Sequence, residues 1–162
     1  MSDENQTDNQ GLRAMLDVLF DSNPDGVAYS DAKGVLSMNT SAAALLSVEK
    51  AEADLNGVDT WSKKYGLFLP DGQTPHPTET LPLVRALHGE HVRDYELLCR
   101  VPAKPEGVWL SVTASPLPNG AAICVFRDVT ERKKLEEDLA QRNDELSRQM
   151  NENTELIERL RL

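Results

Sequence analysis

Residues 92–127 alternate apolar and polar side chains in three runs, separated only by the short turns Pro102–Gly107 and Pro116–Gly120. Connections this short join antiparallel neighbours, because a parallel pair needs a crossover of a dozen residues or more. The spacing predicts strands over 92–101, 108–115 and 121–127. On the first, Tyr95, Leu97, Cys99 and Val101 share a face opposite Glu96, Leu98 and Arg100. On the second, Val108, Leu110, Val112 and Ala114 oppose Trp109, Ser111, Thr113 and Ser115. The third, which carries Ile123, is apolar on both faces, so its sheet is expected to be covered on both sides.

Ahead of this unit the period is mostly helical. Residues 1–10 carry no apolar side chain after Met1 and are expected to be disordered. Leu12, Met15, Leu16, Leu19 and Phe20 follow at i, i+3, i+4, i+7 and i+8, the stripe of an amphipathic helix over residues 11–24. Asn23-Pro24-Asp25-Gly26 ends it, and the helix is the natural second cover for the sheet. Strands at 27–30 and 35–38 flank the turn Asp31-Ala32-Lys33-Gly34, and Asn39 stands at the cap of a helical run over 41–46. Short helices are expected near 49–54 and 58–65. A loop with three prolines then leads to a helix over 78–87, which sets Leu81, Val84 and Leu87 on one side and stops at Gly89.

From Asp128 to Leu162 there is neither Gly nor Pro. Asp128-Val129-Thr130-Glu131 has the form of a capping box. Leu139, Leu146, Asn153 and Leu160 recur every seven residues, and Asn143, Met150 and Ile157 form a second row four residues after the first. Two interleaved rows of that period make the seam of a parallel coiled coil, with Leu135 and Leu156 beside it. Asp138–Arg142, Asp144–Arg148 and Glu155–Arg159 are i, i+4 pairs in the favourable acid-first order. A single helix folded back on the domain is the alternative. The chain thus divides into 1–10, 11–24, 25–128 and 129–162.

Charge and composition narrow the function. A net charge of −10 opposes binding to a phosphate backbone, so no nucleic-acid partner is expected. The longest apolar stretch, Ala121 to Phe126, is too short for a membrane span, and the acidic N-terminus is unlike a secretory signal. A cytoplasmic location follows as the expectation. There Cys99 and Cys124 read as two buried thiols in preference to one disulfide, and no Cys/His spacing suits a metal. No nucleophile elbow, phosphate-cradling Gly loop or His-Glu-x-x-His pattern occurs, so no enzyme is expected within these residues.

The order of elements and several motifs resemble the PAS family of sensory domains. Val27-Ala28-Tyr29-Ser30-Asp31, Gly34-Val35-Leu36 and Asn39 are similar to the family's opening strands, turn and cap. Asp71-Gly72, Pro82 to Glu90 and Trp109 to Leu117 resemble the middle and penultimate segments of one subfamily. Phe126-Arg127-Asp128-Val129-Thr130-Glu131-Arg132-Lys133 resembles the closing motif, where the last strand hands over to a signalling helix. The resemblance covers about residues 12–140. It implies an α+β fold: a five-stranded antiparallel sheet with helices over one face, a small enclosed cavity and a parallel homodimer. It also implies that Asp128 and Thr130 tie the end of the sheet to the helix.

Fold does not fix ligand, so the residues must be weighed singly. Leu83, Leu87, Tyr95, Leu97, Val112 and Ile123 are the candidate lining for a small apolar or weakly polar ligand. The plainer reading of the same residues is a filled core. His88 lies near the place of the axial ligand in haem-binding relatives, yet beside the apolar face of its helix, which reads as a rim histidine. No cysteine precedes Cys99, which removes the flavin-binding pattern, and no cofactor is expected. Trp61, Trp109 and Phe126 are core or dimer contacts. The expected function is a dimeric cytoplasmic sensory module. Its dimer would use Leu12, Met15, Leu16, Leu19, Phe20 and the coiled-coil rows, which relay a signal to an effector, a histidine kinase domain absent from these residues. The heptad pattern is unfinished at Leu162, so a longer parent protein is expected. The rivals are a stand-alone dimerisation adaptor and a haem-based gas sensor.

Overall fold

Asp31 builds the first hairpin of the structure, a computed structural model that describes residues 2–49 and 57–162, the first eight of them by backbone alone. Its carboxylate accepts from the amides of Lys33 and Val35, each at 2.9 Å, and Gly34 takes the left-handed conformation the turn requires, with φ 81°. The turn joins strands β1 (Gly26–Ser30) and β2 (Leu36–Met38). Further on come β3 (Leu67–Phe68), β4 (Val92–Val101), β5 (Lys104–Pro116) and β6 (Ala122–Asp128). All pair antiparallel in the order β2-β1-β6-β5-β4-β3.

The sheet therefore has six strands, one more than expected. The additional strand is β3, whose two residues pair with Cys99 and Leu98 of β4. Two residues show no period, and the proline-rich stretch beside them hides the strand further. The three long strands lie where the alternation puts them, except that β5 begins at Lys104, within the stretch 102–107 expected as a turn, so the hairpin is tighter than expected. The register of β4 against β5 shifts twice, between Val92 and Tyr95, where Asp94 has φ 48°, and between Cys99 and Val101.

Among the described residues of the first compact unit, which ends at Asp128, four helices accompany the sheet. They are α1 (Ser2–Ser22), α2 (Thr40–Leu46), α3 (Trp61–Lys64) and α4 (Pro82–Leu87). Single 3-10 turns precede α3 at Val58–Thr60 and α4 at Thr78–Thr80, so the expected helix over 78–87 is interrupted at Leu81. The interruption follows from Pro82, which removes an amide donor and biases Leu81 towards extended backbone, at ψ 136°. The helix foreseen over 49–54 lies outside the described residues.

The core fills the space between α2–α4 and one face of the sheet. Ala28, Leu97, Cys99, Leu110, Val112, Cys124 and Phe126 enter it from the strands, and Leu46, Trp61, Tyr65, Leu83 and Val84 from the helical side. The outer face is less enclosed, with Ile123 and Val125 half-buried and Tyr29 exposed.

Two expectations for the N-terminus are corrected. The segment 1–10, expected to be disordered, is helical from Ser2, and it contains neither Gly nor Pro to break a helix. The helix also leaves its apolar stripe uncovered instead of shielding the sheet. Leu12, Met15, Leu16, Val18 and Leu19 are each more than half exposed, and only Phe20 of the expected stripe is half-buried.

The second unit, residues 129–162, is the helix α5 (Thr130–Leu160). Val129 occupies its cap position and has no side-chain acceptor, so Asp128 stands one residue before the cap and the capping box expected there is not formed as drawn. The helix starts one residue late because β6 holds Asp128, paired with Leu110, as its last residue.

Candidate functional site

Apolar side chains crossing from both layers leave a cavity of about 70 Å³ between the helices and the inner face of the sheet. Ala28, Leu97, Leu110, Val112, Cys124 and Phe126 form its sheet wall; Leu46, Trp61, Tyr65, Leu81 and Leu83 are on the helical side. Gly26 makes room for the Phe126 ring. It pairs with Phe126 across β1 and β6, and a Cβ on Gly26 would collide with that ring.

Of the six residues expected to line a pocket, Leu83, Leu97 and Val112 are in the wall. The other three are displaced for separate reasons. Ile123 alternates with the wall residue Cys124 and so points to the outer face, where it pairs with Tyr29. Leu87 lies one turn beyond Leu83, half-buried against the core at the end of α4. Tyr95 is drawn to His76: its hydroxyl lies 3.0 Å from His76 Nε2, and the two rings meet edge to face at 5.6 Å.

His76 itself escaped the sequence reading. It is 2% exposed, and its Nδ1–H donates to the Pro77 carbonyl at 2.9 Å while its own carbonyl accepts from Ser62 Oγ. A loop with three prolines offers no periodic sign that one of its side chains is buried. His88, the candidate axial ligand, is exposed at the C-cap of α4, donates from Nδ1 to the Val84 carbonyl at 2.8 Å, and is absent from the cavity wall.

The cavity wall carries no ionised group. Cys124, in the wall, is a free thiol that burial pushes up to about 12, and Cys99, a free thiol on β4, is pushed up to about 11 by the same cause. Both stay neutral at physiological pH and are poor nucleophiles. Cys99 donates to the Tyr65 carbonyl at 3.2 Å. One wall residue is less settled: the Trp61 indole Nε1–H is buried and has no hydrogen-bond partner among the described residues.

Around β1 a second constellation holds the end of α1. Asn39, fully buried, accepts from the Val27 and Ala42 amides at 2.9 and 2.8 Å, and its Nδ2 donates to the carbonyls of Phe20 and Asp25 at 2.9 and 3.1 Å. The Asp21 carboxylate accepts from the Thr40 amide and hydroxyl. Next to it, Arg127 forks onto Asp25 through Nε at 3.0 Å and Nη2 at 2.7 Å. That pair holds the Asp25 carboxyl below its usual range, chiefly through the hydrogen bond from Arg127. The residues are 102 apart in sequence, which is why no local pattern announces the contact. The clamp fixes the start of β1 against β6.

On α5 the expected seam residues are open to solvent, with Leu139 61%, Leu146 57%, Met150 69% and Ile157 53% exposed, and Leu160 more so. Asn143 and Asn153 are exposed in the same rows.

An antiparallel sheet with helices on one face, an apolar cavity between them and a helix that follows the last strand define a small α+β domain. A family model described as the PAS fold matches residues 20–134, and the chain belongs to that family. Cell-division control histidine kinases PdhS of Brucella abortus and Brucella melitensis are each 30% identical to it over 166 residues, 96% of this chain. The chain spans only 15% of the length of those relatives. Among solved structures, the PAS domain of an HTR-like protein from Haloarcula marismortui is 18% identical, covering 78% of this chain and 98% of its own, with a TM-score of 0.54. A domain of a sensory box sensor histidine kinase/response regulator from Geobacter sulfurreducens is 20% identical, covering 75% and 94%, with a TM-score of 0.50. These two establish the fold. No helix among the described residues is long and apolar enough to cross a membrane.

Proposed function

We propose that this PAS domain is a cytoplasmic input module that works as a parallel homodimer and passes a signal through α5 to a histidine kinase domain. The observation that carries the reading is the handover at residue 129. One residue separates β6, the strand facing both the cavity and the Asp25 clamp, from a helix of 31 residues with two uncovered sevenfold rows. A lone helix with that stripe in water is marginal, and pairing with a second copy covers it. The histidine kinases of similar sequence support a kinase as the effector class. The cavity is the sensing site in this reading: an occupant would shift the wall residues of β6 and so the strand from which α5 departs.

Sedimentation velocity of the 162-residue chain at micromolar concentration tests the dimer. The expected mass is twice 18.0 kDa. Leu146→Asp combined with Met150→Asp should weaken the dimer while leaving the spectrum of the folded sheet intact. A wild-type monomer under these conditions overturns the reading.

A further inference from the structure

The described residues that line the cavity are buried, or half-buried in the case of Met38 and Leu67, and every atom they present to it is apolar. At about 70 Å³ the cavity is roughly five times the least volume that holds one water. Folded cores keep few voids of that size, because the atoms around a void lack contact partners. We propose that the cavity binds a wholly apolar molecule of about three or four heavy atoms, of the short-chain hydrocarbon class. This rests on the reading of the cavity as the sensing site.

Three features set the class. The described wall has no Lys, Arg, His, Asp or Glu, and a charge buried without a partner is expelled. It also presents no hydrogen-bonding atom, so a hydroxyl or carbonyl that enters gives up its bonds to water and gains none. Water is disfavoured on the same ground, since a buried water seeks two to four polar partners and apolar cavities stay dry. What the wall does offer is dispersion contact, from large side chains such as Trp61, Tyr65, Phe126 and Met38. The volume sets the size: about 70 Å³ is close to half that of a cavity that holds benzene, which corresponds to roughly three or four heavy atoms. A three-carbon ligand binds no more tightly than about half a millimolar, since affinity per atom has a ceiling.

The probes are propane and ethanol, which match in heavy-atom count and differ in the hydroxyl, with xenon as a monatomic apolar control. The full chain is labelled with 13C at its methyl groups, and the gases are applied under pressure. Propane is expected to move the methyl signals of Leu83, Leu97 and Val112 saturably, leaving Ile123 on the outer face and Ile157 on α5 unchanged. It should bind at least about tenfold more tightly than ethanol, whose buried hydroxyl has no partner. Ala28→Val, which adds two methyl groups to the wall, should abolish the propane shifts, with folding checked by its melting curve. Leu97→Ala enlarges the cavity and should instead shift the preference from propane to benzene. Ethanol binding as tightly as propane overturns the apolar class and leaves the cavity as a sensing site. Saturation by xenon but not by propane overturns the hydrocarbon class on size. Saturation by none of the three overturns the sensing-site reading as well. Propane shifts that persist unchanged in both variants place the bound molecule elsewhere and overturn the site.

Discussion

Asn39 satisfies four backbone groups from three segments: Phe20 at the end of α1, Asp25 and Val27 entering β1, and Ala42 in the first turn of α2. All four of its side-chain bonding positions toward them lie where water cannot substitute, since the residue is 0% exposed. Asn39→Ala removes the cap and strands two buried amides and two part-buried carbonyls, so it should cost about 2–4 kcal/mol, more than a surface cap alone. Chemical denaturation checks the magnitude, and hydrogen exchange should rise first across residues 20–27. A loss within 0.5 kcal/mol would show that water replaces the side chain. The cap was legible because an Asn before a helical run is a local signal; its bonds to Phe20 and Asp25 were not, because they depend on how distant segments meet. Ile123 makes the same point in the opposite sense. Ile123, Cys124 and Val125 are all apolar, so alternation could not assign a face, and only the register Ala28 to Cys124 and Tyr29 to Ile123 does so.

At the scale of elements, the strands that alternate over many residues were legible almost to their ends, and the pieces without a period were not. β3 has two residues, α1 gains its first turns from residues with no apolar stripe, and α4 is cut short by Pro82. In α5 the period is clear and the partner is what the sequence leaves to be tested. In the proposed seam Asn143 would lie between Leu139 and Leu146, where a buried Asn fixes register and strand number at a cost in stability. A relay needs a coil that can settle in a second packing, and a polar seam residue keeps the first from being too deep. Asn143→Leu should therefore raise the melting temperature of the coil by several degrees. In a longer protein carrying the kinase it should also hold output in one state. If coil stability and output are both unchanged, Asn143 faces solvent and the register is wrong.

For the whole molecule, the informative fact is where apolar surface is left over. The large exposed apolar side chains are Leu12 to Leu19 on α1, Leu135 to Leu162 in and after α5, and only Tyr29 and Leu117 elsewhere among the described residues. A chain of net charge −10 repels its own copies, so a dimer must gain enough apolar burial to offset that repulsion. In the proposed dimer, two separate stripes on each copy would give the association two linked contacts, and linked contacts multiply: once one forms, the second closes at high effective concentration. Removing residues 1–19 leaves Phe20 and Asp21, whose bonds to Asn39 and Thr40 hold the end of α1, so the fold should survive the cut. That deletion should raise the dimer dissociation constant about tenfold or more, about 1.4 kcal/mol at the least. Ending the chain at Asp128 should do the same or worse, and the doubly shortened chain should be monomeric throughout the micromolar range. Added salt should tighten the intact dimer by screening the like charges. Sedimentation velocity across a concentration series reads all four cases. Should the doubly shortened chain remain a dimer, the interface lies on the outer face of the sheet near Tyr29 and Ile123, and the helices are not what joins the copies.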